Sequence, residues 1–270
     1  MSLAIGIDLG GTNIKAALID CERAELIASV SKPTRDGEFA GGVPQFAVTV
    51  SEIVEELEAQ TGMGPLPVGL SAPGLAHPNG RGITWMPGRM HGLEGFDWPN
   101  HLNRRVQVLN DAQAALLGEV WIGAAQGCQD VFMLTLGTGV GGAILSGGRL
   151  LKGAIGRAGH LGHITVDAFA EVDVFNTPGS LEAAIGNQTL AARGEGRYAS
   201  TLDLIAAVQA GDTHAIKIWD RSLRQLAVGI VSLINVLDPE AVIIGGGIAA
   251  GAGDVCMFKH IGDIFSEAHG

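Results

Sequence analysis

Cationic residues are scarce in this chain: 17 Lys and Arg face 28 Asp and Glu, for a formal net charge of −11. Nucleic acids and anionic membranes are held by clustered Lys and Arg, so neither is expected as a partner. Cysteine is nearly absent. Cys21, Cys128 and Cys256 lie far apart with no CxxC spacing, which excludes a disulfide framework and suits a reducing cytoplasm. No run of about 18 apolar residues is present, so no membrane-spanning helix is expected. The first apolar run passes straight into an acidic, Gly-rich turn rather than a leader-like cleavage site, and a cytoplasmic protein is expected. Aromatics make up only 5% of the chain, whereas Gly is abundant at 41 and hydrophobic residues reach 47%. A length of 270 residues with that much apolar material suits two α/β domains with many tight turns.

Along the chain, residues 4–9, 14–19 and 26–30 are short apolar runs separated by tight turns, which reads as an antiparallel meander. In the stretch 46–60, Val50, Ile53, Val54 and Leu57 recur at helical spacing with Glu and Gln on the other face, predicting an amphipathic helix. Residues 66–70 form the next expected strand. The Gly- and Pro-rich stretch 78–100 reads as a surface or cleft loop rather than core. A strand over 106–109 runs into Asn110-Asp111 and a helix expected over 112–125. The opening theme then repeats, with strands expected over 131–136, 142–145 and 150–151, and an internal duplication is the best explanation. A long amphipathic helix is predicted over 216–237, stopped by Asp238-Pro239, and a strand over 241–244 leads into Gly245-Gly246-Gly247. The expected domains are 1–108 and 109–270.

A turn between two strands cradles a phosphate when its backbone N–H groups face the ligand and no side chain blocks approach, which calls for Gly, often with a Thr hydroxyl. Asp8-Leu9-Gly10-Gly11-Thr12 fits, with Asp8 at a strand end where a carboxylate can reach Mg²⁺ directly or through water. Leu136-Gly137-Thr138-Gly139 fits again. One such turn alone reads equally well as a plain Gly-rich hairpin; two copies, each between apolar strands, are hard to obtain by accident. Gly137-Thr138-Gly139-Val140-Gly141-Gly142 formally matches the dinucleotide pattern G-x-G-x-x-G, but that motif must open a helix, and residues 143–148 read instead as a strand and a turn. No P-loop G-x-x-x-x-G-K-[ST] occurs either.

Taken in order, D-x-G-G-T, N-D before a helix, L-G-T-G-x-G-G, G-x-x-G-x-x-G-H and a late G-G-G resemble the ROK family (repressors, open reading frames and sugar kinases) over nearly the whole chain. The resemblance implies a two-domain actin-like ATPase fold (ribonuclease H-like), with duplicated β-meander phosphate turns. It further implies ATP- and Mg²⁺-dependent phosphorylation of a hexose or N-acetylhexosamine, usually by a homodimer. No winged-helix segment precedes Asp8, which favours a kinase over a repressor. By the same resemblance Asp111 is the general base and Asn110, His163, Glu182, His160 and Gly74 belong to the sugar site. Asp8, Gly10, Gly11, Thr12, Lys15, Gly137, Thr138 and Gly139 serve ATP, with Gly246 and Gly247 against the adenosine. From sequence context alone Asp111 also reads as the N-cap of the helix starting at Ala112, and one residue could do both jobs.

The chain departs from the family pattern in four places. His160 stands where the family has a sugar-binding Glu, exchanging a negative acceptor for a pH-dependent donor. The family's zinc uses a His, matched by His163, and three Cys, whose positions here hold Asp173, Phe175 and Ser180; no structural zinc is expected. The segment 165–178 must then be held by packing, with Phe175 as the replacement anchor. Trp85 occupies the place of a substrate-loop Asn, either stacking on a sugar face or covering the core. The stretch after Gly247 is shorter than the family's, with an amphipathic run over 258–265. These departures keep two alternatives open: a non-catalytic sugar- or nucleotide-sensing protein, and a kinase acting on a non-hexose acceptor.

Overall fold

The computed structural model describes residues 2–256, the side chains of 253–256 excepted; the expected amphipathic run over 258–265 and the question of a short C-terminus lie outside the described residues. The chain divides into two compact units, residues 1–118 with 152–157, and 119–151 with 158–270. The first unit extends past the boundary expected at 108/109, because the strand carrying Asn110 pairs inside its sheet and brings the next helix start with it.

The first unit opens with β1 (Leu3–Leu9), β2 (Asn13–Asp20) and β3 (Glu25–Pro33). β1 and β2 alternate strictly, burying Leu3, Ile5, Ile7 and Leu9 and then Ile14, Ala16 and Leu18 on one face, as a half-covered sheet requires. The three strands form the expected antiparallel meander, with Leu9 opposite Ile14 at the first turn and Asp8 opposite Lys15. A two-stranded ribbon of β4 (Phe39–Ala40) and β5 (Val43–Pro44) leads into α1 (Gln45–Ala59). This helix buries Phe46, Val50, Ile53, Val54 and Leu57, the periodic positions. Next come β6 (Val68–Ala72), β7 (Leu75–Ala76), β8 (Ile83–Trp85), α2 (Trp98–Leu102), β9 (Val106–Asn110) and α3 (Asp111–Ile122). The main sheet has the order β3-β2-β1-β6-β9, with β1, β6 and β9 parallel.

The stretch 78–100 is not a surface loop. Ile83, Met86, Met90, Leu93 and Trp98 are all buried, and Phe46 of α1 meets the rings of both Phe96 and Trp98 within 6.3 Å. Trp98 and Phe96 pack edge to face at 4.8 Å, a favoured aromatic geometry. Asp97 fixes the start of α2 by accepting from Asn100 N–H while its carboxylate takes both contacts from Arg81 at 2.7 Å. Single apolar residues between glycines carry no period, so only tertiary packing reveals that they fill a core.

The second unit repeats the design. β10 (Val131–Leu136), β11 (Val140–Ser146) and β12 (Arg149–Leu150) form an antiparallel meander, and β13 (Ala241–Gly245) adds in parallel to β10. The order β12-β11-β10-β13 matches β3-β2-β1-β6 of the first unit strand for strand. Between the meander and β13 lie α4 (Leu181–Ile185), α5 (Leu190–Arg193), α6 (Thr201–Gln209) and α7 (Thr213–Leu237); α8 (Gly247–Cys256) follows β13. α7 begins three residues earlier than its apolar pattern suggests. Asp212 caps it, its carboxylate accepting from His214 and Ala215 N–H, so the helix start is set by a side-chain oxygen rather than by hydrophobic period. Trp219, Leu223, Leu226, Ile230 and Leu233 form its buried stripe.

Trp98 is fully buried, and its indole N–H has no partner among the described residues. Trp98→Ala is expected to destabilise the first unit by about 3–5 kcal/mol in denaturant unfolding. Trp98→Phe, which keeps most of the ring and removes the unpaired donor, should cost clearly less. Equal costs for the two variants would contradict this packing.

Candidate active site

In the first unit, β1, β6 and β9 end side by side, and their ends carry Asp8, Ser71 and Asn110. The turn after β1 is closed by Gly10 N–H donating to the Asn13 carbonyl at 3.1 Å. It is braced from β3's end by Thr34, which is fully buried. The Thr34 hydroxyl donates to Gly10 O at 2.6 Å and its N–H donates to Thr12 O at 2.9 Å. Gly11, Thr12 and Lys15 stay exposed around this braced turn. Asp8 is exposed at the tip of β1, and Ser71 donates its hydroxyl to Asp8 Oδ1 at 2.9 Å. Neither Thr34 nor Ser71 stands out in the sequence. Both are single hydroxyl residues far from any motif, and only the β2–β3 and β1–β6 pairings deliver them.

Asn110 ends β9 and organises the start of α3. Its Oδ1 accepts from Ala112 N–H at 3.0 Å, and its Nδ2 donates to the Gly74 carbonyl at 2.8 Å. The helix cap is therefore Asn110, not Asp111, and Asp111 is the first helical residue. Gly74 adopts φ +99°, and a Cβ there would lie 2.6 Å from the Trp85 carbonyl oxygen, so no other residue fits this corner. Trp85 itself is 38% exposed, so its ring is not part of the fully buried core.

Asp111 keeps a solvent-accessible surface, yet enough protein surrounds its carboxyl to disfavour the charge. Its pKa is raised to about 6, first by desolvation, then by the Asp8 carboxylate, with Arg89 and a backbone N–H pulling the other way. A carboxyl raised by burial and by a neighbouring carboxylate is a common feature of acid–base sites.

In the second unit the turn between β10 and β11 is closed by Gly137 N–H on the Gly139 carbonyl at 2.9 Å. It is fixed from outside by the segment after α4: Asn187 N–H donates to Gly137 O at 3.0 Å and Gln188 N–H to Thr138 O at 2.9 Å. Glu182, on α4, completes the brace. Its Oε2 accepts from Val140 N–H at 2.9 Å and its Oε1 from Gln188 Nε2 at 2.6 Å. A Cβ at Gly139 would stand 2.3 Å from Glu182 Oε2, so the second Gly of the turn makes room for this carboxylate. Glu182 thus holds the second turn, a role the sequence did not suggest. Gly246 and Gly247 sit exposed between β13 and α8.

His160 and His163 flank a single 3₁₀ turn over Leu161–His163, their rings stacked at 6.4 Å and 25°. His163 Nδ1 lies 2.7 Å from Asp173 Oδ2, and the Phe175 ring packs edge-on against the imidazole at 4.3 Å. Asp173 Oδ1 accepts from Phe175 N–H at 2.8 Å and Thr177 N–H at 3.0 Å. Burial works against the Asp173 charge, but these two N–H groups, His163 and the Ser180 hydroxyl outweigh it and hold its pKa below the usual range. Ser180 also caps α4, accepting from Ala183 N–H. The segment is held by this polar knot as well as by the packing of Phe175. The four positions do not fit zinc: Phe175 offers no donor, the Ser180 hydroxyl is a cap, and His163 Nδ1 is engaged by Asp173. Among the described residues no three His, Cys, Asp or Glu side chains converge as a metal site. A cavity of about 870 Å³ in this unit takes in Asp173, Glu182 and Arg193, but neither histidine nor the turn glycines.

Each unit therefore assembles its share of the residues expected from sequence: Asp8, Gly10, Gly11, Thr12, Lys15, Gly74, Asn110 and Asp111 in one, and Gly137, Thr138, Gly139, His160, His163, Glu182, Gly246 and Gly247 in the other. Comparison with known proteins supplies the context. The model of the ROK family matches residues 4–260. A glucokinase of Thermotoga maritima is 31% identical over 93% of this chain and 83% of its own. A ROK hexokinase of Thermus thermophilus superposes with a TM-score of 0.85 at 31% identity, covering 98% of this chain and 88% of that one. A ROK family glucokinase of Streptomyces griseus, solved with glucose and AMPPNP, superposes with a TM-score of 0.72 at 26% identity, covering 97% and 88%. The chain belongs to the ROK family, and its fold is that of the family's sugar kinases, the two-domain actin-like ATPase fold.

Proposed function

We propose that this protein transfers the γ-phosphoryl group of ATP to a hydroxyl of a hexose or N-acetylhexosamine, with Asp111 as general base. The observation that carries this reading is the state of Asp111: relieved of capping by Asn110, reachable by solvent, and raised to about 6 beside Asp8. A base whose pKa lies a little below the working pH is ionised and still basic enough to accept a hydroxyl proton.

In this reading Asp111 takes the proton of the attacking sugar hydroxyl as the oxygen approaches the γ-phosphorus, and the bond to the β-phosphate oxygen breaks to release ADP. Asn110 presents its remaining amide proton and lone pair to the sugar, fixed in direction by its bonds to Ala112 and Gly74. His163, His160 and Glu182 belong to the sugar set. The Glu182 carboxylate already accepts from Val140 and Gln188, so it meets a hydroxyl with a remaining lone pair. Gly11, Thr12, Thr138 and Gly139 present backbone amides and hydroxyls to the phosphates and Lys15 its ammonium, on turns that Gly10 and Gly137 close with their own N–H groups, and Gly246 and Gly247 lie against the adenosine. Asp8 is a hard oxygen donor oriented by Ser71 and fits Mg²⁺. When bound with ATP, Mg²⁺ neutralises charge that develops on the phosphate oxygens. A cytoplasmic homodimer is part of the same proposal.

Four measurements test this. ADP release on a panel of glucose, mannose, fructose, allose, N-acetylglucosamine and N-acetylmannosamine should show Mg²⁺-dependent turnover on at least one sugar. Silence across the panel from folded protein that binds ATP would favour the sensing alternative or a non-hexose acceptor. Asp111→Asn keeps the shape and removes the base, and kcat is expected to fall about 10²–10⁴-fold; unchanged turnover would overturn the mechanism. The pH dependence has a definite sign. A base must be unprotonated to act, so kcat/KM of the wild type should fall as pH drops through about 6. Stability moves in the opposite sense. The folded pKa of Asp111 is raised, so its proton is bound more tightly in the native state than in the unfolded chain. Asp111 therefore weighs against the fold above pH 6 and ceases to do so below the unfolded value. Asp111→Asn should raise Tm at pH 8 and leave it unchanged near pH 3.

A further inference from the structure

The segment 163–180 is built around one carboxylate. Asp173 Oδ1 takes the N–H groups of Phe175 and Thr177, while Oδ2 faces His163 Nδ1 at 2.7 Å. The Asp173 backbone closes the same loop, its N–H donating to Thr177 O and its carbonyl accepting from Asn176 N–H, both at 2.9 Å. Phe175, two residues on, lays its ring edge against the imidazole at 4.3 Å. The His163 and Asp173 side chains are only 12% and 9% exposed, so this contact is shielded from competing water.

An ionised carboxylate accepts hydrogen bonds and cannot donate them. The nitrogen facing it must carry the proton, and in neutral imidazole the other nitrogen must then present a lone pair. We propose that Asp173 is a positioning residue that locks His163 in its Nδ1–H tautomer, so that Nε2 serves as a dedicated acceptor for a donor hydroxyl of the sugar. This rests on the reading of His163 as a sugar contact. It gives Asp173 the orienting task that a ligand on Nδ1 performs elsewhere: a second group fixes the rotation and protonation of the imidazole that touches substrate. Phe175 bars the ring from turning, and the two backbone N–H groups bar the carboxylate from turning. The resulting selectivity is for sugars offering a hydroxyl hydrogen to His163 Nε2; a deoxy analogue at that carbon would leave a shielded acceptor unpaired.

The geometry yields a sharp test in Asp173→Asn. The amide oxygen keeps the Phe175 and Thr177 N–H groups, since an NH₂ there would face two donors. The NH₂ is thereby turned toward His163 Nδ1, which must become the acceptor, and the proton moves to Nε2. Long-range ¹⁵N–¹H correlation spectra of the full ¹⁵N-labelled chain report the tautomer directly, with His163 assigned by its disappearance in His163→Gln. The wild type should show the Nδ1–H form and Asp173→Asn the Nε2–H form. In the same pair, the KM for the preferred sugar should rise about 10–100-fold, on the scale that losing the outer partner of a metal-ligating histidine costs, with the KM for ATP unchanged. A purely structural role would not invert the tautomer.

An Nε2–H form in the wild type overturns the inference whatever the variant does. So does Asp173→Asn that retains Nδ1–H while its backbone amide spectrum stays native, or that inverts the tautomer while the sugar KM stays within twofold. The kinase reading fails separately, by the absence of turnover in the wild type on every sugar; the tautomer result stands or falls without it.

Discussion

The side-chain amide of Asn110 closes two bonds at once, accepting from Ala112 N–H and donating to the Gly74 carbonyl, and the chemistry of the first unit depends on both. The first bond caps α3, a task worth about 1 kcal/mol that an Asp in the next position would otherwise compete for. With the cap supplied by a neutral amide, the Asp111 carboxylate is not the cap of α3. The second bond pins the corner at Gly74, where the positive φ and the near contact with Trp85 O admit only glycine. The end of β9, the corner after β6 and the start of α3 are thus one rigid junction, and Asp111 projects from it.

The second constraint is that a glycine turn proposed to hold phosphate needs its backbone fixed. Both units meet it by bracing the turn from behind with groups distant in sequence. Thr34 does so in the first unit, with one hydroxyl bond and one amide bond. In the second, Asn187, Gln188 and Glu182 do so together. The topology of the two meanders is shared, but the braces are chemically different, a buried hydroxyl in one and a carboxylate–amide pair in the other. A duplicated strand pattern does not impose the same supporting side chains, because the elements after each meander differ.

The departures from the family pattern read coherently once the side chains are placed. The changes at Asp173, Phe175 and Ser180 are matched to one another. The carboxylate takes His163 and two backbone N–H groups, the ring takes the imidazole edge, and the hydroxyl caps α4. A loop of this length needs something to offset its ordering entropy, and a polar knot with shielded, charge-assisted bonds contributes to that.

Much of this was legible in the residues. The meanders, α1, the long helix and the parallel strands come from periods of 2 and 3.6 and from turn residues, because these signals are local and each element carries its own. The duplication was legible too, as was the ordered set of motifs, since phosphate turns require glycines at fixed offsets. From sequence context Asp111 read as the helix cap; Asn and Asp are both preferred there, and Asn110 takes the task because its amide is also held by Gly74 O, 36 residues away. The sequence read 78–100 as a surface or cleft loop rather than core, because Ile83, Met90, Leu93 and Trp98 have no period, yet all four are buried and Trp98 packs against Phe46 of α1. It undervalued Asp173, treated as a ligand lost rather than as the centre of a hydrogen-bonded knot. What sequence alone determined is which elements form and which residue types stand at the turns; what tertiary structure decided is which distant oxygen or amide each of those residues meets, because partnership depends on distance in space and local pattern encodes only distance along the chain.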